Sequence, residues 1–158
     1  METVYGVEMK PPIGKLPGFI AQIIKKTAEL ATVMDRDKRL VIISNKEEAL
    51  TLQDYYLSKG VFEEFYSLLP LSPNANPYAS FYDYGFVSQN TNYFLYENLV
   101  SYFIISTGVE EQIEMAQLQM DEHVIAKDDD VFYIDHMHTE LMEGIARAYQ
   151  LELTFLPE

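Results

Sequence analysis

The sequence predicts an α+β fold, a single domain over residues 1–158 with a mixed or mostly antiparallel sheet and about five helices packed on it. Three observations carry that prediction. Apolar residues at helical spacing alternate irregularly with short β-branched and aromatic runs. Two of those runs are split by short polar stretches, Glu97-Asn98 and Lys127-Asp128-Asp129-Asp130, as the arms of hairpins are. Finally, 158 residues of which 48% are apolar suffice for a full core without disulfides or a structural metal.

The elements follow in order. Thr3 to Met9, with Val4, Tyr5, Val7 and Met9 ahead of Pro11-Pro12, reads as a short strand. After Pro17, the residues Phe19, Ile20, Ile23, Ile24, Leu30 and Met34 fall near 3.6-residue spacing, which predicts an amphipathic helix over about 18–34. Arg39 to Ser44 is β-branched and too short for a helix, so it reads as a strand. Ser44 or Asn45 can then accept the free amide hydrogens of a first turn, with Glu47 or Glu48 closing a capping box. Gly60 supplies a left-handed end, giving a helix over about 46–59. Val61, Phe65, Leu68 and Leu69 again fit a helical face, which Pro70 ends.

Residues 71–91 lack periodicity, yet they hold Tyr78, Phe81, Tyr82, Tyr84 and Phe86 among Pro, Asn, Ser and Gly. A stretch this long without structure is uncommon in a compact domain, and it reads as a partly ordered aromatic excursion. Tyr93–Tyr96 and Leu99–Ile105 fit either a two-residue hairpin or one helix, and their aromatic and β-branched content favours strands. Val109, Ile113, Ala116 and Met120 form one apolar seam on a helix whose outward face is Glu110, Glu111, Glu114, Gln117, Gln119 and Asp121. Val124–Ala126 and Val131–Ile134 form a hairpin, Thr139–Tyr149 a last helix and Leu151–Phe155 a closing strand.

The charge is unevenly placed. The formal net charge is −14, yet residues 1–59 hold nine basic and eight acidic side chains while 60–158 hold two and 17. Such a field disfavours phosphate backbones, whose binding needs Lys and Arg to release counterions, and it favours basic partners. Lys25-Lys26 and the cluster Arg36, Lys38 and Arg39 read as charges on the face and at the C-terminal end of the first helix, where cations complement the dipole.

Several chemistries are excluded. Without cysteine there is no thiol nucleophile, disulfide or cysteine-ligated metal. Neither phosphate-cradling glycine motif occurs, nor a Gly-x-Ser-x-Gly elbow. Asp128-Asp129-Asp130 lacks the alternation and central glycine of a calcium loop and reads as a polar turn. The longest apolar run, 93–105, is interrupted and shorter than the roughly 20 residues of a membrane span. No basic segment followed by an apolar one opens the chain, which predicts a cytoplasmic protein.

These readings converge on a non-enzymatic binding protein without a cofactor. Glu110, Glu111, Glu114 and Asp121 would present a helical row of carboxylates to a basic partner, with Asp128, Asp129 and Asp130 as a tip and Tyr82 and Tyr84 as aromatic anchors. In size and charge the chain resembles the compact acidic proteins that block nucleases and other nucleic-acid enzymes, of the immunity, anti-restriction or counter-defence type. That resemblance implies inhibition by occluding a groove. Two alternatives stand beside it. On a strand, His136 and His138, i and i+2, would share a face and, with His123 and Asp135 or Glu140, could ligate a metal in a small enzyme; they stand at a strand-to-helix junction, where Asp135 or Thr139 would instead cap the helix. The acidity could also serve solubility alone, in a regulatory protein without a basic partner.

Overall fold

The computed structural model describes residues 2–157 and is α+β, with two antiparallel sheets and four α-helices. It forms two compact units. One runs to Pro70 and includes Val87–Phe94; the other is Leu71–Phe86 together with the chain from Leu95 onward.

The first unit begins with β1 (Val4–Met9), α1 (Pro17–Leu30), β2 (Val33–Asp37), β3 (Leu40–Ile43), α2 (Lys46–Ser58) and β4 (Phe62–Pro70). β1 lies between β3 and β4 and is antiparallel to both, so that Val7 faces Val41 on one side and Phe65 on the other. With β6 (Gly85–Val87) and β7 (Tyr93–Tyr96), through which the division between the units passes, the sheet order is β2-β3-β1-β4-β7-β6. Val7, Ile23, Val41, Ile43, Leu52 and Tyr56 form the core where α1 and α2 cover the strands. Asn45 caps α2 by accepting from the Glu48 amide at 3.0 Å. The capping box is not closed, because the Glu48 carboxylate instead accepts from the Thr32 amide at 2.6 Å. Gly60 holds the expected left-handed conformation, φ +70°.

Asp35 is the one buried acid among the described residues of this unit, at 3% exposure. Its carboxylate accepts from the hydroxyl of Ser88, the side-chain amide of Asn92 (2.9 Å) and the backbone amides of Arg36 and Asn90. Burial alone would raise its pKa. The four donated bonds outweigh that, and the carboxyl is held below its ordinary value.

In the second unit, β8 (Val100–Thr107), α3 (Glu110–Met120), β9 (Val124–Asp128), β10 (Val131–Asp135), α4 (Thr139–Ala148) and β11 (Glu152–Leu156) follow one another. With the two-residue β5 (Asn76–Pro77) the sheet order is β11-β8-β10-β9-β5. The hairpin across residues 128–131 is present, with Val131 opposite Asp128. Phe103, Ala116, Met120, Phe132, Met142 and Leu151 belong to the core, which α3 and α4 share with β8–β11. Gly108 stands where β8 turns into α3, and a Cβ there would displace the Leu151 side chain.

Three expectations are corrected. Residues 61–69 are not a helix but most of β4. Their i, i+4, i+7 spacing mimics a helical face, but the run is short and rich in aromatics, and pairing along β1 from Val4–Leu68 to Met9–Phe62 decides its conformation. The helix expected over 18–34 stops at Leu30, because Val33–Asp37 pairs with β3. The run 92–107 does make two strands, but they do not form a hairpin. A 3₁₀ turn at Glu97–Leu99 separates β7 from β8, and the two belong to different sheets.

Candidate functional site

Charge divides along the same boundary as the fold. The second unit carries 15 acidic side chains against two basic ones, whereas the first carries ten against nine. Among the described residues, neither cation of the second unit pairs with a carboxylate of α3. Lys127 sits 4.9 Å from the Phe132 ring centroid, directly across the β9–β10 pair, and Arg147 occupies the last turn of α4, where it complements the dipole.

The candidate site is the solvent face of α3. Ala116 and Met120 anchor the helix inward and Ile113 is half-buried beside them. At about 100° per residue, the opposite side runs through Glu110, Asp121, Glu114, Leu118, Glu111 and Met115. Glu110, Glu111 and Glu114 are exposed, and none of their carboxylates makes a hydrogen bond or ion pair among the described residues. Leu118 is 73% exposed and Met115 54%, so two large apolar side chains lie within the carboxylate row. The sequence reading missed both. They fall outside the Val109, Ile113, Ala116, Met120 seam, and an off-seam Leu or Met had no predicted partner to mark it. Val109, placed on that seam, is 67% exposed and stands just before the helix.

The other expected contact residues separate into two groups. Asp129 and Asp130 are exposed at the hairpin turn and Tyr82 is exposed on a 3₁₀ turn at Phe81–Asp83, its ring edge-on to buried Phe81. Asp121, Asp128 and Tyr84 instead hold the aromatic excursion in place. Asp128 accepts from the amide and hydroxyl of Ser72 at 2.8 and 2.5 Å, Asp121 accepts from the Tyr78 hydroxyl at 3.0 Å, and Tyr84 donates to Asp135 at 2.7 Å. Three carboxylates thus tie residues 72–84 to the later strands and helices of the same unit. Burial, then the bond to Asp121 and its charge, push the Tyr78 phenol up to about 12. The Tyr84 phenol is raised chiefly by its bond to Asp135, and the same bond, with the Met137 amide, holds the Asp135 carboxyl low.

The histidines follow the strand-to-helix junction reading, in which Asp135 satisfies a first turn, and not the strand pair. β10 ends at Asp135, whose carboxylate accepts from the Met137 amide at 2.8 Å and starts a 3₁₀ turn over His136–His138. His136 and His138 therefore do not project together from a strand. The structure brings His138 against His123 instead, ring centroids 5.3 Å apart at 72°, with His138 Nδ1 buried and unpartnered among the described residues. Among the described residues, no group of three His, Asp or Glu side chains is disposed to hold a metal ion. None of their helices is long and apolar enough to cross a membrane.

Comparison with protein-family models, curated proteins and solved structures gives no significant match.

Proposed function

We propose that this chain is a non-enzymatic binding protein whose α3 face occupies a basic groove on a partner, with a nuclease or other nucleic-acid-processing protein as the class of partner. The observation that carries the reading is the interleaving of Glu110, Glu111 and Glu114 with exposed Met115 and Leu118 on one helix face, in the unit that holds nearly all the excess negative charge. Solubility would be served by carboxylates alone. Exposed apolar side chains among them have the composition of an interface, in which carboxylates steer encounter and apolar anchors slow dissociation. The anchors in this reading are Met115 and Leu118, with Tyr82 in reserve, since the Tyr84 hydroxyl is engaged by Asp135. A cytoplasmic location and inhibition by occlusion belong to the same proposal.

The test compares untagged wild-type protein with two variants as capture reagents for host lysate, at low and at high salt. One variant carries Glu110→Lys, Glu111→Lys and Glu114→Lys; the other carries Met115→Ala and Leu118→Ala. The proposal expects a basic protein held by wild type, released as salt rises and lost by the charge variant, with faster release from the apolar variant. Its isolated activity should fall when wild type is added. Identical captured sets for all three proteins would overturn the proposal.

A further inference from the structure

We propose a second binding site, in the first unit, for a small amphipathic carboxylate with a long apolar tail. Between α1 and the strands lies a cavity of about 780 Å³, within the range of small-molecule sites. Its wall includes Ile20, Ile24, Leu30 and Val33. Ile24 is 56% exposed although it sits on the apolar side of α1, so the helix covers the sheet incompletely and leaves this space beneath it.

The polar groups inside are already satisfied. Thr27 donates to the Ile23 carbonyl at 2.8 Å and shares a 2.9 Å hydrogen bond with the buried Tyr56 hydroxyl, so the interior offers an apolar tail no unpaired donor to strand. Burial raises the Tyr56 phenol further and keeps it neutral.

The rim carries the opposite sign to the rest of the molecule. Arg36, Lys38 and Arg39 line the cavity, three of the 11 basic residues in a chain of net charge −14. They do not cap α1, as the sequence suggested, because that helix ends at Leu30; they lie on β2 and on the turn into β3. Two carboxylates share the lining. Glu29 pairs with Lys26 at 3.7 Å, whereas Glu48 accepts from the amide of Thr32, itself a lining residue, and keeps its charge, so three cations stand against one carboxylate without a cationic partner. Arg39 donates one bond, Nε to the Met9 carbonyl at 3.1 Å, which leaves its terminal nitrogens free. The side chains of Arg36 and Lys38 have no hydrogen-bond or ion-pair partner among the described residues. Apolar walls under a cationic rim match an anionic head on an apolar chain, and an arginine fork suits the planar carboxylate.

Isothermal titration of the full chain with dodecanoate, kept below its micelle concentration, tests the site. One dodecanoate should bind per chain, while acetate and dodecyltrimethylammonium should not. Arg36→Ala with Lys38→Ala should weaken binding at least about tenfold, and Ile24→Glu, at an exposed position of the wall, should weaken it comparably. Both variants should keep the wild-type circular dichroism. Glu110→Lys with Glu114→Lys should leave dodecanoate affinity unchanged, which keeps this site separate from the α3 face. Absence of binding, equal binding of the cationic detergent, or undiminished affinity in both rim and wall variants would overturn the proposal. So would co-sedimentation with phosphatidylglycerol vesicles without binding of free dodecanoate, which would mark the rim as a contact for lipid headgroups.

Discussion

The Tyr84 hydroxyl donates to the Asp135 carboxylate at 2.7 Å across 51 positions of sequence, and so fixes the aromatic excursion where β10 ends. Asp135 also accepts from the Met137 amide, so one carboxylate ends a strand and tethers a loop. Removing the phenol oxygen in Tyr84→Phe should cost about 1 kcal/mol in urea unfolding. The pH dependence has two limbs. Asp135 is held below its ordinary value, so its contribution is present above the usual carboxylate range and fades as pH falls through the lowered pKa. Tyr84 is raised, so its contribution is present below the ordinary phenol value and fades as pH rises through the raised one. The stability gap between wild type and Tyr84→Phe should therefore be constant around neutrality and close at both extremes. A gap that persists at both extremes would contradict the assignment.

Tyr78 gives a sharper alkaline signature. Its phenol ionises only near pH 12, from an ordinary value of 10.0, through burial and then through its bond to Asp121. The pair thus stabilises fully below pH 10 and loses that contribution as pH rises towards 12. Asp121→Asn removes the acceptor's charge and should move one late-titrating tyrosine to lower pH in a phenolate absorbance titration. An unchanged curve would mean that the tether does not form.

Asp35→Ala would leave the Ser88 hydroxyl, the Asn92 amide and two backbone amides without their acceptor at a buried position. The expected cost is on the order of 3 kcal/mol, read from the urea midpoint. Since the Asp35 carboxyl is held low, wild type should keep this contribution above the ordinary carboxylate range and lose it as pH falls through the depressed pKa. The Asp35→Ala variant should then show a shallower acid limb than wild type.

Glu8 and Glu64 stand directly opposite each other where β1 pairs with β4. Like charges in register across antiparallel strands are unfavourable, so Glu64→Lys should stabilise by about 0.5 kcal/mol at low salt and by less at high salt. Equal stability of the two proteins at low salt would show that solvent already screens the pair.

The fold was legible in the sequence wherever a local signal and its tertiary partner agree. Asn45 and Gly60 bracket α2, and the acidic turn at 127–130 marks the β9–β10 hairpin. It misled where a partner far along the chain decides. Nothing local in 61–69 says that β1 will pair with it, and nothing in 31–37 says that Asp35 will be needed by Ser88 and Asn92. The candidate site was legible as charge, because Glu110, Glu111 and Glu114 face solvent as the helical period requires. Which other acids would accept hydrogen bonds was not legible, because Asp121, Asp128 and Asp135 meet Tyr78, Ser72 and Tyr84 only once the sheet is built.

The cluster around Asp35 also governs the outer margin of its sheet. β2 is terminal in the strand order and pairs with β3 on one side only. On its other side the Gln89 amide donates to the Arg36 carbonyl at 2.8 Å, held there because Ser88, Asn90 and Asn92 are bound to the neighbouring carboxylate. A backbone carbonyl that would otherwise invite an extra strand from a second molecule is already taken. One buried aspartate therefore keeps the β2 edge closed at Arg36, and that local closure is weakest in acid, where the carboxylate takes up its proton.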